Sequence, residues 1–230
     1  MVGISSAAVL IPVFNEAAMI HEVVAKVRCG FDLVVCVDDG SSDDSARAAE
    51  SAGATVVRHS VNLGQGAALR TGFDLLATRR DLEHVVTFDA DGQHRVEDAK
   101  AMVAHARETG VQVVLGTRAK GGTTDQPLLS RLTLRAGLWY SRRTSGLELT
   151  DTHNGLRVIR RDVLTLLAPR QRGMAHASEI EMLISRHQLT WGEHPVSIAY
   201  TDYSRSKGQS SLNAVNIVYD LVAARLNTPA

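Results

Sequence analysis

Asp89-Ala90-Asp91-Gly92-Gln93-His94 places two carboxylates at spacing i, i+2 directly after the apolar run Val85-Val86-Thr87-Phe88. Hard divalent cations take oxygen ligands, and Mg²⁺ commonly binds one or two carboxylates together with substrate phosphates. A strand edge leading into a glycine turn can bring Asp91 and the Gln93 amide oxygen round to one ion. The competing reading is a plain turn closed by an Asx cap, since Asp and Gly are common turn residues.

Three further clusters have the same character. Val35-Cys36-Val37-Asp38-Asp39-Gly40-Ser41-Ser42-Asp43 ends an apolar run in adjacent carboxylates. Such a pair repels unless solvated or given donors, and a nucleobase N–H or ribose hydroxyls can supply them. The structural alternative is a strand–turn–helix junction with Asp43 as the cap, and both roles can hold together. In Leu10-Ile11-Pro12-Val13-Phe14-Asn15-Glu16, Pro12 fixes the backbone, Phe14 offers a face for a base or ribose, and Glu16 an acceptor. A core position for Phe14 is the alternative. Asn62-Leu63-Gly64-Gln65-Gly66-Ala67-Ala68-Leu69-Arg70-Thr71-Gly72 looks like a phosphate loop but lacks both GxGxxG after a strand and GK[ST]. That spacing argues against a Rossmann dehydrogenase and a P-loop NTPase; small residues that let a helix pack closely are the other reading.

Side chains so placed need a frame. Short apolar runs alternate with helical patterns: strands at Ala7–Val13, Leu33–Val37, Thr55–Arg58, Val85–Phe88 and Val111–Leu115, and helices at Glu16–Val27, from a Ser42 or Asp43 cap to Ser51, at Gln65–Arg79 and at Val96–Arg107. This alternation implies an α/β doubly wound parallel sheet, with ligands at the carboxyl ends of the strands, where the polar clusters fall. The second half is less regular: a loop at Gly121–Pro127, a basic helix at Leu128–Arg143, strands at Leu156–Ile159 and Val196–Tyr200, and helices at Ser178–His187 and Leu212–Leu226.

Composition narrows the classes. The 230 residues suffice for one large domain, and 44% hydrophobic content is that of a globular chain. Lys+Arg and Asp+Glu are equal at 25 each, so no global basic field points to nucleic acid. Two cysteines, Cys29 and Cys36, make no disulfide scaffold or zinc cluster. No signal peptide pattern opens the chain and no run reaches the roughly 18 apolar residues of a membrane span. The expected compartment is the cytoplasm, with any membrane contact peripheral.

Taken in order, PVFNE, VDDGSSD, NLGQGAALRTGF and FDADGQH resemble family 2 glycosyltransferases of the GT-A fold. Val114–Arg118, Asp151-Thr152-His153-Asn154-Gly155-Leu156-Arg157 and Arg205-Ser206-Lys207-Gly208-Gln209-Ser210 extend the likeness to the dolichol-phosphate mannose synthase and polyprenyl-phosphate glycosyltransferase branch. The likeness covers roughly residues 7–215. It departs at Gly64-Gln65-Gly66, where GKG is common, and at Ser211, where lysine is usual.

The resemblance implies a single GT-A catalytic domain over 1–230: a mostly parallel sheet with helices on both faces, a nucleotide-sugar half at 1–118, and a smaller acceptor half at 119–230. Asp89, Asp91 and Gln93 would hold Mg²⁺ or Mn²⁺ against the diphosphate. Pro12, Phe14, Glu16 and Asp39 would bind the nucleoside, UDP- or GDP-linked. Arg118, Arg131 and Arg205 would gather phosphate charge, with Arg135 one helical turn from Arg131. Asp151 and Asn154 would lie near the sugar. Transfer would be inverting, to a polyprenyl phosphate whose anionic oxygen needs no strong base.

A hydroxyl acceptor would need a positioned base, for which Glu179 and Glu181 are the candidates, and a surface or helix-terminal role is their alternative. His94 and His176 are placed near the site or in structural turns. A soluble-acceptor transferase and a non-catalytic nucleotide-sugar binder are the rival functions. Leu128–Tyr140 and Leu212–Leu226 are candidate membrane-interface segments, with packing on the core or against a second copy in a homodimer as the alternative. Many relatives carry membrane helices beyond this region, so the resemblance implies a peripheral enzyme or a separate membrane-anchor subunit.

Overall fold

The computed structural model describes residues 4–118, 142–143, 145–151, 154–173 and 175–198. The run Ala7–Ile11 is fully buried and lies within β1 (Ile4–Val13). Side chains alternate across a strand. Accordingly Ala7, Val9, Ile11 and Val13 join one apolar core, and Ala8 and Leu10 join the other. On the first face pack α1 (Ile20–Arg28), α2 (Ser45–Ser51) and α4 (Val96–Thr109). On the second lie α3 (Gln65–Ala77), a 3-10 helix at Arg161–Leu167, and α5 (His176–Arg186).

The remaining strands are β2 (Phe31–Asp38), β3 (Thr55–Arg58), β4 (His84–Thr87), β5 (Val113–Thr117), β6 (Arg157–Arg160) and β7 (Trp191–Pro195). They form one seven-stranded sheet in the order β3-β2-β1-β4-β6-β5-β7. Every pairing is parallel except those of β6, which runs against both β4 and β5. This is the mostly parallel, doubly wound α/β sheet that the sequence implies.

The order reverses between β2-β1 and β4, which makes the gap beside β1 a topological switch point, where such sheets bind ligands. Pro12 helps to open it. The last β1–β4 pair is Leu10↔Thr87, whereas β1 stays paired to β2 as far as Val13↔Asp38. The Leu10 carbonyl accepts from Phe88 N–H on the β4 side, and the Val13 carbonyl from Asp39 N–H on the β2 side. Pro12 alternates with Val13, so its missing N–H faces the side where β4 has already left and costs no ladder bond.

Three local expectations are corrected. The first helix begins at Ile20 rather than Glu16: Asn15 takes a left-handed φ of 54°, and the chain first makes a turn in which the Glu16 carbonyl accepts from both Met19 and Ile20 N–H. The second helix begins at Ser45, after Asp44 and with no side-chain cap bond, rather than from Ser42 or Asp43. The last described strand is Trp191–Pro195, ahead of the expected Val196–Tyr200, whose residues 199 and 200 lie outside the described residues. It pairs with β5 from Val113↔Trp191 to Thr117↔Pro195, an edge position that tolerates its proline. The β-branched run after it merely continues one bond further, from Val196 N–H to the Thr117 carbonyl. Gly121–Pro127, most of Leu128–Arg143, and Leu212–Leu226 lie outside the described residues.

Candidate active site

At the carboxyl edge of the sheet, the gap between β1 and β4 opens into a cavity of about 400 Å³. The end of β1 supplies Pro12, Phe14 and Glu16, the end of β2 supplies Asp39, and the turn after β4 supplies Asp89 and Asp91. Six residues singled out on sequence grounds thus share one wall. Phe14 is 44% exposed, so it is no core residue; an aromatic face is left open at the rim.

The loop after β2 holds the loop after β1. Ser41 Oγ accepts from Asn15 N–H at 2.9 Å, Ser45 Oγ from Glu16 N–H at 2.7 Å, and Asp43 Oδ2 from Ala17 N–H at 3.1 Å. Asn15 returns the contact, accepting from Ser42 N–H at 3.0 Å, and adopts φ of 54°, a left-handed conformation asparagine tolerates. The serines of this loop therefore satisfy the backbone that presents Phe14 and Glu16.

The paired carboxylates at the end of β2 find their donors within the protein. Asp38 accepts from Arg58 Nε at 2.8 Å and Ser41 N–H at 3.1 Å. Asp39 accepts from His59 Nδ1 at 2.7 Å, Leu63 N–H at 2.9 Å and Gly64 N–H at 2.6 Å. A nucleobase is not needed to relieve their repulsion, and Asp39 nonetheless faces the cavity.

After β4, the Asp89–His94 segment forms the expected turn, and its two carboxylates also face the cavity. Asp91 Oδ1 accepts from Gln93 N–H at 3.0 Å, an Asx turn, and the same carboxylate lines the cavity. His94, its side chain only 4% exposed, donates through Nε2 to Asp89 Oδ2 at 2.8 Å. The imidazole also stands edge-on to Phe88, with centroids 5.3 Å apart. Burial pushes the Asp89 carboxyl up, but the charge and hydrogen bond of His94, with Arg157 and His176, outweigh it and leave the pKa below the usual value. Asp91 moves the other way, raised by burial and by the negative charge of Asp89.

Among the described residues no three His, Cys, Asp or Glu side chains form a ready-made metal cage. The donors that are present do fit a divalent ion. Two mutually repelling carboxylates face one cavity, and Mg²⁺ commonly takes only one or two carboxylates and completes its shell from phosphates and water.

Sequence reasoning gave no role to Arg157 or Gly155, which line the same cavity, and left His176, which joins them, undecided. Arg157 is 3% exposed. Burial lowers its pKa against the opposing charges of Glu181 and Asp89. It arrives because β6 is antiparallel: its first residue pairs with Thr87, the last of β4. An arginine inside an apolar strand was the available signal. His176 donates through Nδ1 to the Gly173 carbonyl at 2.8 Å. A Cβ on Gly155 would lie 2.1 Å from Asp89 Oδ2. Gly64 and Gly66 serve close packing, since a Cβ on either would fall 2.2 Å or 1.9 Å from the carbonyls of Arg172 and Gln171.

Other expected residues do not line the cavity or lie outside the described residues. Gln93 and Asn154 are not in its described wall. Asn154 accepts from Leu156 N–H at 3.0 Å, and its buried Nδ2 has no partner among the described residues. Arg118 forks onto Asp151, Nε to Oδ2 at 2.8 Å and Nη2 to Oδ1 at 2.7 Å, tying the end of β5 to the segment before β6. Glu179 accepts from Arg170 N–H at 2.9 Å and Gln171 N–H at 2.7 Å, a structural role. Glu181 is buried at 4% exposure, behind Arg157. Arg131, Arg135 and Arg205 lie outside the described residues.

Comparison with known proteins agrees with this geometry. The profile described as Glycosyl transferase family 2 matches residues 8–167. An uncharacterised protein of Methanocaldococcus jannaschii is 30% identical over 223 residues, 95% of this chain and 91% of its own length. A UDP-N-acetylglucosamine–dolichyl-phosphate N-acetylglucosaminyltransferase of Methanococcus voltae is 26% identical over 239 residues, 94% and 95% of the two chains. An undecaprenyl-phosphate 4-deoxy-4-formamido-L-arabinose transferase of Shewanella sediminis is 29% identical over 242 residues, 99% of this chain and 69% of its own. Among solved structures, glucosyl-3-phosphoglycerate synthase from Mycobacterium tuberculosis in complex with Mn²⁺ and UDP-glucose superposes with a TM-score of 0.68 at 22% identity, covering 98% of this chain and 80% of that one. That likeness establishes the GT-A fold. With its sheet, its switch-point cavity and the matched profile, the chain belongs to glycosyl transferase family 2 and is a glycosyltransferase.

Proposed function

We propose that this enzyme transfers a hexosyl group, with inversion, from a nucleoside diphosphate sugar to a polyprenyl phosphate, with Mg²⁺ or Mn²⁺ bound. The observation that carries the reading is the single cavity in which Phe14, Glu16 and Asp39 adjoin Asp89 and Asp91. It offers an aromatic face, a carboxylate acceptor and a pair of hard oxygen ligands in sequence, which matches base, ribose and diphosphate. The names of the Methanococcus voltae and Shewanella sediminis relatives support a polyprenyl phosphate acceptor, and the Mn²⁺–UDP-glucose complex of the structural relative supports the donor and the ion.

Asp89 and Asp91, with Gln93, would hold the ion, which shields the charge that builds on the departing diphosphate. His94 and Gly155 keep the Asp89 carboxylate in place. An acceptor phosphate oxygen attacks the anomeric carbon as the bond to the diphosphate breaks, and the diphosphate leaves with the electron pair. Because that oxygen is already anionic, no general base is required, consistent with Glu179 being spent on backbone N–H groups. Arg118, Arg131 and Arg205 would draw the phosphates together, Arg118 by exchanging its Asp151 partner for a phosphate. Residues 1–118 serve the donor, joined at its cavity by Gly155, Arg157 and His176, and the rest of 119–230 serves the acceptor, with Asp151 and Asn154 shaping the sugar's surroundings.

Among the described residues no helix is long and apolar enough to cross a membrane. The enzyme works at the cytoplasmic membrane face as a peripheral protein, directly or through a separate anchor subunit. Incubating it with Mn²⁺, nucleotide sugars and short polyprenyl phosphates is expected to give a lipid-linked sugar. Transfer only to a soluble hydroxyl would overturn the acceptor, and metal-dependent nucleotide binding without turnover would overturn the enzymatic reading.

A further inference from the structure

Asp39 is held far more tightly than a carboxylate at a solvent cleft requires. Its side chain is 3% exposed, and that of His59 behind it 11%. Oδ1 accepts two donors, His59 Nδ1 at 2.7 Å and Leu63 N–H at 2.9 Å, while Oδ2 accepts one, Gly64 N–H at 2.6 Å. Two carboxylate oxygens offer about four acceptor sites. One therefore remains, on Oδ2, and Asp39 lines the cavity.

The partner that fixes this arrangement is itself fixed. A carboxylate only accepts, so His59 must carry its hydrogen on Nδ1 to make the bond. In the neutral ring Nε2 is then an acceptor, and Thr71 Oγ1 lies 2.9 Å from it. Thr71 on α3 thus donates to His59, which donates to Asp39 at the end of β2. The chain of bonds selects one tautomer and one rotamer.

We infer that His59, backed by Thr71, is a positioning residue that turns the one open acceptor site of Asp39 towards the ligand and so selects a nucleobase presenting a ring N–H. This rests on the cavity being a nucleoside diphosphate site. Uracil, thymine and guanine present such a hydrogen; cytosine and adenine present a lone pair at the corresponding ring nitrogen and repel the carboxylate. A site built to accept a hydrogen bond rejects an analogue that lacks the donor, because the buried group is then left unpaired. Neither His59 nor Thr71 lines the cavity, so their effect runs through Asp39 and is read in selectivity.

The test is calorimetric titration of the full chain with UDP, GDP and CDP in the presence of Mn²⁺. The wild type is expected to favour UDP or GDP over CDP by about tenfold or more, the size of one hydrogen bond to a charged group. In His59→Phe, which keeps a ring but loses both nitrogens, the ratio should collapse towards one with CDP affinity little changed. His59→Asn, which restores an N–H near the Nδ1 position, should recover most of it. Thr71→Val should fall between, since the ring keeps its bond to Asp39 but loses the second contact that holds its orientation. An unchanged ratio in folded His59→Phe, or equal binding of all three nucleotides by the wild type, would overturn the inference. Should His59→Phe fail to fold, an unchanged ratio in Thr71→Val would overturn it equally. Failure of the wild type to bind any nucleoside diphosphate would instead overturn the underlying reading of the cavity.

Discussion

Gly155 shows how little room surrounds the paired carboxylates of the cavity. A methyl group there would fall 2.1 Å from Asp89 Oδ2 and 2.4 Å from Oδ1, so Gly155→Ala must displace Asp89 from its bond to His94. Loss of a supporting contact to a metal ligand typically costs about 10- to 100-fold in metal affinity. Gly155→Ala is accordingly expected to lose Mn²⁺-dependent nucleotide binding on that scale while its far-UV circular dichroism stays that of the wild type. At this scale the sequence was informative wherever a residue type is out of place for its element: Asp89 and Asp91 ending a strand, Asp39 ending another, Phe14 in a polar turn. It was silent where the assignment depends on partners distant along the chain. Nothing local reveals that Asp39 is gripped by His59, that Arg118 is forked onto Asp151, or that Glu179 holds the Arg170–Gln171 backbone.

The junction between the first two strand–helix units can be tested element against element. Ser45 is fully buried, and its hydroxyl accepts from Glu16 N–H at 2.7 Å while bonding Asp43. Ser45→Ala removes the acceptor that the Ser45 hydroxyl offers Glu16 N–H, at a cost of about 1 kcal/mol, measurable as a lower urea midpoint. Asp43 adds a pH dependence. Burial pushes its carboxyl up, but the Ser45 hydroxyl and the N–H groups of Ala17 and Ser45 hold the pKa below the usual value. A lowered folded pKa contributes stability that is present above the unfolded value, about 3.9, and is lost as pH falls through the folded value. Asp43→Asn should therefore lose less stability than the wild type on acidification from about pH 5 to pH 3. Strands and helices of the first half were legible because β1, β2 and β4 are buried on both faces and read as continuous apolar runs. The direction of β6 was not, because Arg157-Val158-Ile159-Arg160 encodes no orientation. β7 was misplaced because pairing with β5, rather than propensity, selects Trp191-Gly192-Glu193-His194-Pro195.

For the molecule as a whole, ligand binding should appear as global stability. A nucleoside diphosphate at 100 times its dissociation constant stabilises the folded state by about 2.7 kcal/mol. In a chain of this size that corresponds to a rise in Tm of roughly 5–10 °C. The rise is expected with Mn²⁺ and should vanish with EDTA, because the diphosphate then meets Asp89 and Asp91 unscreened. A full rise in EDTA would mean that the two carboxylates do not share an ion with the ligand.

The antiparallel entry of β6 carries one more consequence. The chain leaves the sheet at Thr117 and re-enters it at Arg157 on the same edge, and the Arg118–Asp151 fork clasps the two departures together. The fork and the β5–β6 pairs are all made by residues outside 119–141, so strand registration is fixed by contacts that do not include that stretch. Exchanging that stretch with a relative's should preserve the melting transition; on the proposed division of the chain the molecule receiving the sugar would change with it, and scaffold and customer would be separately evolvable.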